Sequence, residues 1–149
     1  MDRRMNAYQE EAAGLQEQLG GLVNQTSTLL SEIRKSAAER NADDQSAQSM
    51  KIYVASVNLR LRQYADLNGR TERLATALSE AAGDQASGSV TATLIMLRQM
   101  MTQMQAEMKS LQGVEEELEL WTQAKETDTI GQKISLLDKL KKGLEATRQ

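Results

Sequence analysis

Apolar residues recur along the chain at alternating steps of four and three, the spacing of a helix face that packs against other helices. In the first part of the chain this seam runs for more than four heptads and contains one polar residue, Thr26. Its positions are Met5, Tyr8, Ala12, Leu15, Leu19, Leu22, Thr26, Leu29 and Ile33. The pattern predicts a long first helix over about residues 2–40.

Two further seams follow with the same spacing. The second comprises Met50, Val54, Val57, Leu61, Tyr64, Asn68, Thr71, Ala75, Leu78 and Ala82, with Leu59, Leu67 and Leu74 beside it. The third comprises Val90, Leu94, Leu97, Met101, Met104, Met108, Leu111, Glu115 and Leu118, with Ile95, Met96 and Met100 beside its first half. These seams predict helices over about 46–83 and 89–126, and their wide apolar faces favour a bundle over a two-stranded coiled coil.

Three short segments break the periodicity. Residues 41–44 supply N-cap candidates for the second helix, and Gly83–Ser89 is the clearest loop, with Gly83 as a left-handed helix end and Ser87 or Ser89 as the next cap. A third break is expected at 127–129, where Thr129 and Gln132 fit a capping box. A short fourth helix over about 130–147 then either covers part of the bundle or extends the third helix toward a partner.

The sequence therefore predicts an all-α fold. It is a single domain over 1–149, an elongated antiparallel up-down bundle of three long helices plus one short C-terminal helix, with coiled-coil-like heptad seams. Two details stay open. Gly20 and Gly21 either allow a neighbouring helix to approach closely or loosen the first helix. Asn68 either fixes the helix register or, with Gly69, marks a weak point.

The composition excludes several kinds of chemistry. The chain has no Cys and no His, so it offers no disulfide, no thiolate nucleophile and no imidazole base or metal ligand. We expect no enzyme activity, no metal and no cofactor. The acidic run Glu115–Glu119 is interpreted as a solvated face or as a partner for basic residues, because only Glu115 and Glu119 share a helix face.

Charge and hydropathy limit the partners. Lys and Arg total 18 against 21 Asp and Glu, a net charge of −3, which argues against nucleic-acid binding. The basic residues of the last predicted helix lack interleaved aromatic residues and suit a helix C-terminus; they are Lys133, Lys139, Lys141, Lys142 and Arg148. No apolar run is long enough to span a membrane, and no signal peptide is expected. The compartment stays open between the cytoplasm and, for a trimmed exported chain, the periplasm or cell surface.

Five methionines and the only tryptophan form the candidate protein interface: Met96, Met100, Met101, Met104, Met108 and Trp121. Methionine adapts to irregular surfaces, and tryptophan is common at binding hot spots. Ordinary core packing is the alternative for the methionines, with Met96 and Met100 expected to lie outside the main seam. For Trp121, the alternatives are an interface role and a position in the core near one end of the bundle.

The segment Tyr64-Ala65-Asp66-Leu67-Asn68-Gly69-Arg70-Thr71, the Gly83–Ser89 break and the run 97–105 (LRQMMTQMQ) together resemble the helical core of minor pilins. These are the pilus-tip proteins of type IV secretion and conjugation systems, and the resemblance covers about residues 60–110. It implies an exported, elongated bundle that takes part in adhesion and pilus assembly rather than catalysis.

The functional hypothesis is a non-enzymatic structural or assembly protein, present as a homo-oligomer or within a larger complex. One alternative is a ligand-sensing bundle with a polar pocket, for which Asn68, Arg70 and Thr71 are the candidates, although no small-molecule ligand is expected. Another alternative is a small helical chaperone or adaptor.

Overall fold

The computed structural model describes residues 2–38, 44–83 and 87–134, with side chains described for 3–37, 48–83 and 87–123. The described residues form three α-helices and no strand: α1 (Asp2–Ala38), α2 (Asp44–Ala82) and α3 (Gly88–Ile134). The predicted all-α class and the three long helices are confirmed for this part of the chain. At about 1.5 Å per residue, α1 and α2 each span roughly 55 Å.

The helices run up, down and up. Gln18 of α1 accepts a hydrogen bond from Arg70 of α2, while Thr26 meets Tyr64, so residue numbers rise on α1 as they fall on α2. Near the start of α1, Gln9 donates a hydrogen bond to Ser89 at the start of α3. The helix α2 packs against both other helices, and the contact between α1 and α3 is the least extensive of the three.

The core is a continuous line of heptad positions. On α2 and α3 the deepest positions repeat every seven residues, and all of them are buried: Met50, Val57, Tyr64, Thr71, Leu78, Val90, Leu97, Met104, Leu111 and Leu118. Every seam position predicted on α1 is buried or half-buried, including Thr26. Each helix thus buries the apolar face that its spacing predicts, and this burial is the main stabilising contribution.

Three flanking residues differ from their predicted positions. Leu59 and Ile95 were expected to widen the apolar faces, but they are 49% and 48% exposed. Met100 was expected to lie outside the seam, yet only 4% of it is exposed. Leu59 is exposed because it is out of phase with Leu67 and Leu74, whose seven-residue repeat passes through residue 60. Met100 is buried because it lies on the side of α3 that turns toward α1.

The helix ends at the second connection follow their capping chemistry. Gly83 has a positive φ of 58°, and its N–H donates to the carbonyl of Ser79, which closes α2. The Ser87 hydroxyl accepts a hydrogen bond from the Val90 N–H, and the Ser87 carbonyl accepts one from the Thr91 N–H, so Ser87 is the N-cap of α3. Ser87 rather than Ser89 is therefore the cap.

The predicted break at 127–129 is wrong, because α3 is continuous from Gly88 to Ile134. Thr and Asp each cost a helix only a fraction of a kcal/mol, about 0.7 at most, and no Pro or Gly lies between Val114 and Ile130 to end it. Residues 130–134 of the predicted fourth helix belong to α3. Residues 135–147 lie outside the described residues, as do residues 41–43 of the first predicted break, whereas Asp44 of that break begins α2.

Gly20 and Gly21 do not interrupt α1, and Asn68 does not interrupt α2. A Cβ built on Gly20 or Gly21 would meet no atom within 4 Å, so no described residue of this chain makes use of the missing side chain. The helix α2 runs through Asn68 and Gly69 without a break. Asn68 is half-buried, and its buried Oδ1 has no hydrogen-bond partner among the described residues, so no hydrogen bond from this oxygen fixes the register.

Candidate protein interface

The six predicted interface residues divide into two groups. Met100 and Met104 are buried in the core between the helices, so their side chains are not on the surface of this chain. Met96, Met101, Met108 and Trp121 are half-buried and pack against the edge of the core. These four residues therefore present one side to the bundle and the other to the outside, as flexible or large apolar side chains can.

Trp121 lies where the end of α1 meets α3. With Ile33 and Ala37 of α1, Met50 of α2, and Val114, Glu117 and Leu118 of α3, it lines a small cavity of about 90 Å³. On the same turn of α3, Leu120 is 67% exposed. Trp121 therefore packs on the core near one end of α1, as one of its two predicted alternatives has it, and its role at an interface stays a prediction.

A buried polar pair joins α1 and α2 in the middle of the bundle. The Thr26 hydroxyl donates to the Leu22 carbonyl at 2.7 Å, so its oxygen accepts the hydrogen bond of the Tyr64 hydroxyl at 3.0 Å. Burial raises the pKa of Tyr64, and the nearby Glu107 carboxylate raises it further, whereas Arg60 acts in the opposite direction. The phenol is therefore held in its neutral, hydrogen-bonding form.

A polar groove follows the outer junction of α1 and α2. Its central part, about 380 Å³, is lined by Gln18, Gly21, Leu22, Gln25, Gln63, Asp66, Leu67 and Arg70. A second part, about 330 Å³, is lined by Tyr8, Glu11, Arg70, Arg73, Leu74 and Ala77. Arg70 borders both parts, and it donates to Gln18 at 3.1 Å and lies 3.9 Å from Asp66.

The three residues predicted for a ligand pocket do not come together. Arg70 lines the groove, whereas Thr71 is fully buried and its hydroxyl donates to the Leu67 carbonyl at 2.7 Å. Asn68 shares its heptad position with Val54, which faces α3. Sequence reasoning missed Gln18, Gln25, Gln63 and Arg73, although the seven-residue repeat of residues 11, 18 and 25 was a visible signal for a polar stripe beside the seam.

Acidic side chains do not gather into a metal site in the part of the chain that the structure describes. Within the acidic run, Glu116, Glu117 and Glu119 are exposed, while Glu115 is half-buried and its Oε2 has no hydrogen-bond partner among the described residues. The side chains of the predicted basic patch lie outside the described residues. None of the described helices has an apolar stretch of the length needed to cross a membrane.

No protein-family model matches the chain, and no curated protein and no solved structure is significantly similar to it.

Proposed function

We propose that this chain is a non-enzymatic structural or assembly protein that acts through contacts with other protein subunits. The observation that carries the proposal is the position of Met96, Met101, Met108 and Trp121 at the edge of the core. These apolar side chains already contribute to the bundle, and their remaining surface suits a partner that buries the rest.

The length of the helices supports the same role. A core of heptad positions that runs from Ala12 and Leu78 to Ile33 and Leu118 gives a rod whose outward faces are large relative to its interior. Such a rod offers long surfaces along which subunits can align. Repeated heptad packing also extends those surfaces over about ten turns.

The test is the mass of the particle that contains the chain in its native cells. A gentle extract is separated by size, the fractions that contain the chain are identified with an antibody, and their mass is measured by light scattering and their shape by small-angle scattering. We expect an elongated particle several times heavier than the 16.5 kDa chain. A free, compact particle of 16.5 kDa would contradict the assembly role.

A place at the tip or stalk of a type IV secretion or conjugation pilus is the specific form of this proposal. It depends on the resemblance of residues 60–110 to minor pilins. The expected observation is that neighbouring genes encode other components of such a system, and that the chain is accessible to antibody on intact cells. A gene neighbourhood without any secretion component, together with an inaccessible chain, would contradict this form and leave the wider assembly role in place.

The α1–α2 groove favours a second candidate function, the binding of a polar small molecule. Arg70 and Arg73 provide cationic donors, and Gln18, Gln25 and Gln63 provide amides that both donate and accept. A screen of small carboxylates and sugars would measure the melting temperature at increasing ligand concentration. A stabilisation that Arg70→Gln abolishes and Arg62→Gln retains would support binding, because Arg62 does not line the groove. Unchanged melting temperatures with all compounds would contradict it.

A further inference from the structure

The central part of the α1–α2 groove has an arginine–glutamine pair at each end. At one end Arg70 donates a hydrogen bond to Gln18 Oε1 at 3.1 Å, and at the other Arg60 donates one to Gln63 Oε1 at 2.7 Å. We call Arg70 with Gln18 the first anchor and Arg60 with Gln63 the second anchor. Arg70, Gln18 and Gln63 line the groove itself. Gln63 precedes Arg70 by seven residues on α2, so the two anchors are about 10 Å apart.

Both anchors present hydrogen-bond donors. Arginine N–H groups can only donate, so the oxygen of each glutamine amide faces an arginine and the amide N–H groups remain as donors. Neither guanidinium is fully paired within the described chain. Arg70 lies 3.9 Å from the Asp66 carboxylate, which is 71% exposed, and the buried Nε of Arg60 has no hydrogen-bond partner among the described residues. Each anchor therefore combines a positive charge with N–H donors, an arrangement that suits a carboxylate.

Between the anchors the groove is apolar and open. Leu22 and Leu67 line it, and both are buried. Gly21 lines it beside Leu22, and a Cβ built on Gly21 would meet no atom within 4 Å. After proline, glycine is the least favourable residue in a helix interior, so α1 bears a loss of stability that no contact within the described chain explains. A ligand whose carbon chain passes over Gly21 gives this glycine a function.

We propose that the α1–α2 groove binds a linear dicarboxylate with an apolar carbon chain, one carboxylate at each anchor. This inference rests on the second candidate function and assigns its ligand a chemical class. The first carboxylate accepts hydrogen bonds from Arg70 and Gln18. The second accepts from Gln63, whose amide is held by Arg60. The carbon chain between them lies along the backbone of Gly21.

The distance between the anchors selects the length of the ligand. An extended chain of about eight to ten carbons spans roughly 10 Å at ordinary C–C bond lengths. A shorter dicarboxylate reaches one anchor only, and a monocarboxylate of the same length leaves one guanidinium without an anion. The volume of this part of the groove, about 380 Å³, is within the range of small-molecule sites.

The first test compares ligands on the full chain by isothermal titration calorimetry. The probes are azelate, a nine-carbon dicarboxylate, glutarate, a five-carbon dicarboxylate, and nonanoate, a nine-carbon monocarboxylate. We expect azelate to bind at least tenfold more tightly than either of the others, because it alone reaches both anchors and covers the apolar middle of the groove. Azelate that binds no more tightly than glutarate or nonanoate would overturn the proposed class of ligand.

The second test places leucine at two neighbouring residues of α1. Gly21→Leu puts a side chain over the middle of the groove, whereas Gly20 lines neither part of it, so Gly20→Leu is the matched control. A Cβ at either position would meet no atom within 4 Å, and leucine favours a helix, so both variants should fold, as circular dichroism verifies. G21L should weaken azelate binding at least tenfold, and G20L should bind as the wild type. Equal affinities of the two variants would overturn the position of the ligand.

The third test concerns Asp66, whose carboxylate competes with the ligand for Arg70. Asp66→Asn removes this competing charge, so it should strengthen azelate binding several-fold. Glu72→Gln removes the same charge from an exposed residue of α2 that does not line the groove, and it should leave the affinity unchanged. A D66N variant that binds azelate no more tightly than E72Q would overturn the first anchor.

Failure of this inference is distinct from failure of the candidate function on which it rests. If another compound of the screen stabilises the wild type but not Arg70→Gln, while azelate does not bind, the groove binds a small molecule of a different class and the dicarboxylate is overturned. If no compound binds, azelate included, both the inference and the candidate function are overturned. The assembly role is tested separately, by the mass of the native particle.

Discussion

At the level of single residues, Thr26 and Tyr64 form a buried polar contact that joins α1 to α2. Thr26 already satisfies its donor within α1, so Tyr64→Phe removes one hydrogen bond without leaving the threonine proton unpaired. We expect a loss of about 0.5–1.5 kcal/mol of unfolding free energy, measured by denaturant titration. Tyr53→Phe, on the same helix, is the control. A Y64F variant as stable as the wild type would show that the hydrogen bond contributes nothing net.

The raised pKa of Tyr64 predicts a decrease in stability at alkaline pH. A tyrosine in the unfolded chain ionises near pH 10, while burial keeps Tyr64 protonated to higher pH in the folded chain. Its contribution is fully present below about pH 10 and is lost as the pH rises from there through the folded-state pKa, because the unfolded state releases its proton first. The melting temperature of the wild type should therefore fall more steeply than that of Y64F between pH 9 and 11. Parallel curves would contradict this effect.

Gly14 within α1 and Gly83 just after α2 test the role of glycine. A Cβ at Gly14 would meet no atom within 4 Å, and this residue lies within α1, so Gly14→Ala should stabilise the chain by about 0.5–1 kcal/mol through helix propensity. Gly83 has a φ of 58°, so the same substitution there should destabilise it by about 1–2 kcal/mol. Opposite shifts in melting temperature would verify both conformations, whereas equal shifts would contradict them.

At the level of secondary-structure elements, the sequence predicts the helices well because one physical rule determines them. The four-three spacing placed every seam position of α1 at the core, and the capping chemistry identified Gly83 and narrowed the next cap to Ser87 or Ser89, of which the structure uses Ser87. The spacing rule failed on α3, where local spacing alone does not show that a second side of the helix is also buried. Met100 is buried because α3 meets α1 as well as α2, which depends on how the helices are arranged around one another.

The break predicted at 127–129 failed for a different reason. A capping box satisfies the first N–H groups of a helix if a helix begins there, but it does not prevent an earlier helix from continuing. Without Pro or Gly, the backbone of α3 simply runs through Thr127, Asp128 and Thr129. Likewise, the groove residues depend on which stretches of α1 and α2 lie at equal height, and this register is set by contacts distant in the sequence, such as that of Thr26 with Tyr64.

The N-cap of α3 offers a direct test at this level. Ser87→Ala removes the hydroxyl that accepts the Val90 N–H, and we expect it to cost about 1 kcal/mol, measured as a change in unfolding free energy. Ser87→Asp keeps an acceptor and should retain the stability. Ser110→Ala, in the exposed interior of α3, is the control and should not destabilise the chain. If Ser87→Ala lowers the unfolding free energy no more than Ser110→Ala does, the cap contributes no stability.

At the level of the whole molecule, the burial pattern predicts which parts of α3 determine stability. Leu111 is fully buried, whereas Leu120 is 67% exposed on the same helix. Leu111→Ala should cost about 2–5 kcal/mol, and Leu120→Ala should change stability by no more than about 0.5 kcal/mol. Denaturant unfolding followed by circular dichroism measures both. A large loss with L120A would mean that a second molecule covers this residue, which dilution of the sample would reveal.

The single core along the rod makes a further prediction about cooperativity. Leu78 is fully buried at the end of the bundle that holds Gly83, and Trp121 lies near the other end, beside Met50. The 28 residues that separate Met50 from Leu78 on α2 correspond to about 40 Å. If the described helices form one cooperative unit, a change at one end must alter unfolding at the other, because no part can lose its core independently.

Leu78→Ala therefore serves as the test. Trp121, the only tryptophan in the chain, is a fluorescent probe of unfolding at the opposite end. Its fluorescence should report the same unfolding midpoint as circular dichroism, and Leu78→Ala should shift both midpoints equally, by the equivalent of about 2–5 kcal/mol. Leu59→Ala, at a half-exposed position of α2, is the control and should shift neither. If L78A lowers the midpoint seen by circular dichroism but leaves that of Trp121 unchanged, the two ends of the rod unfold separately.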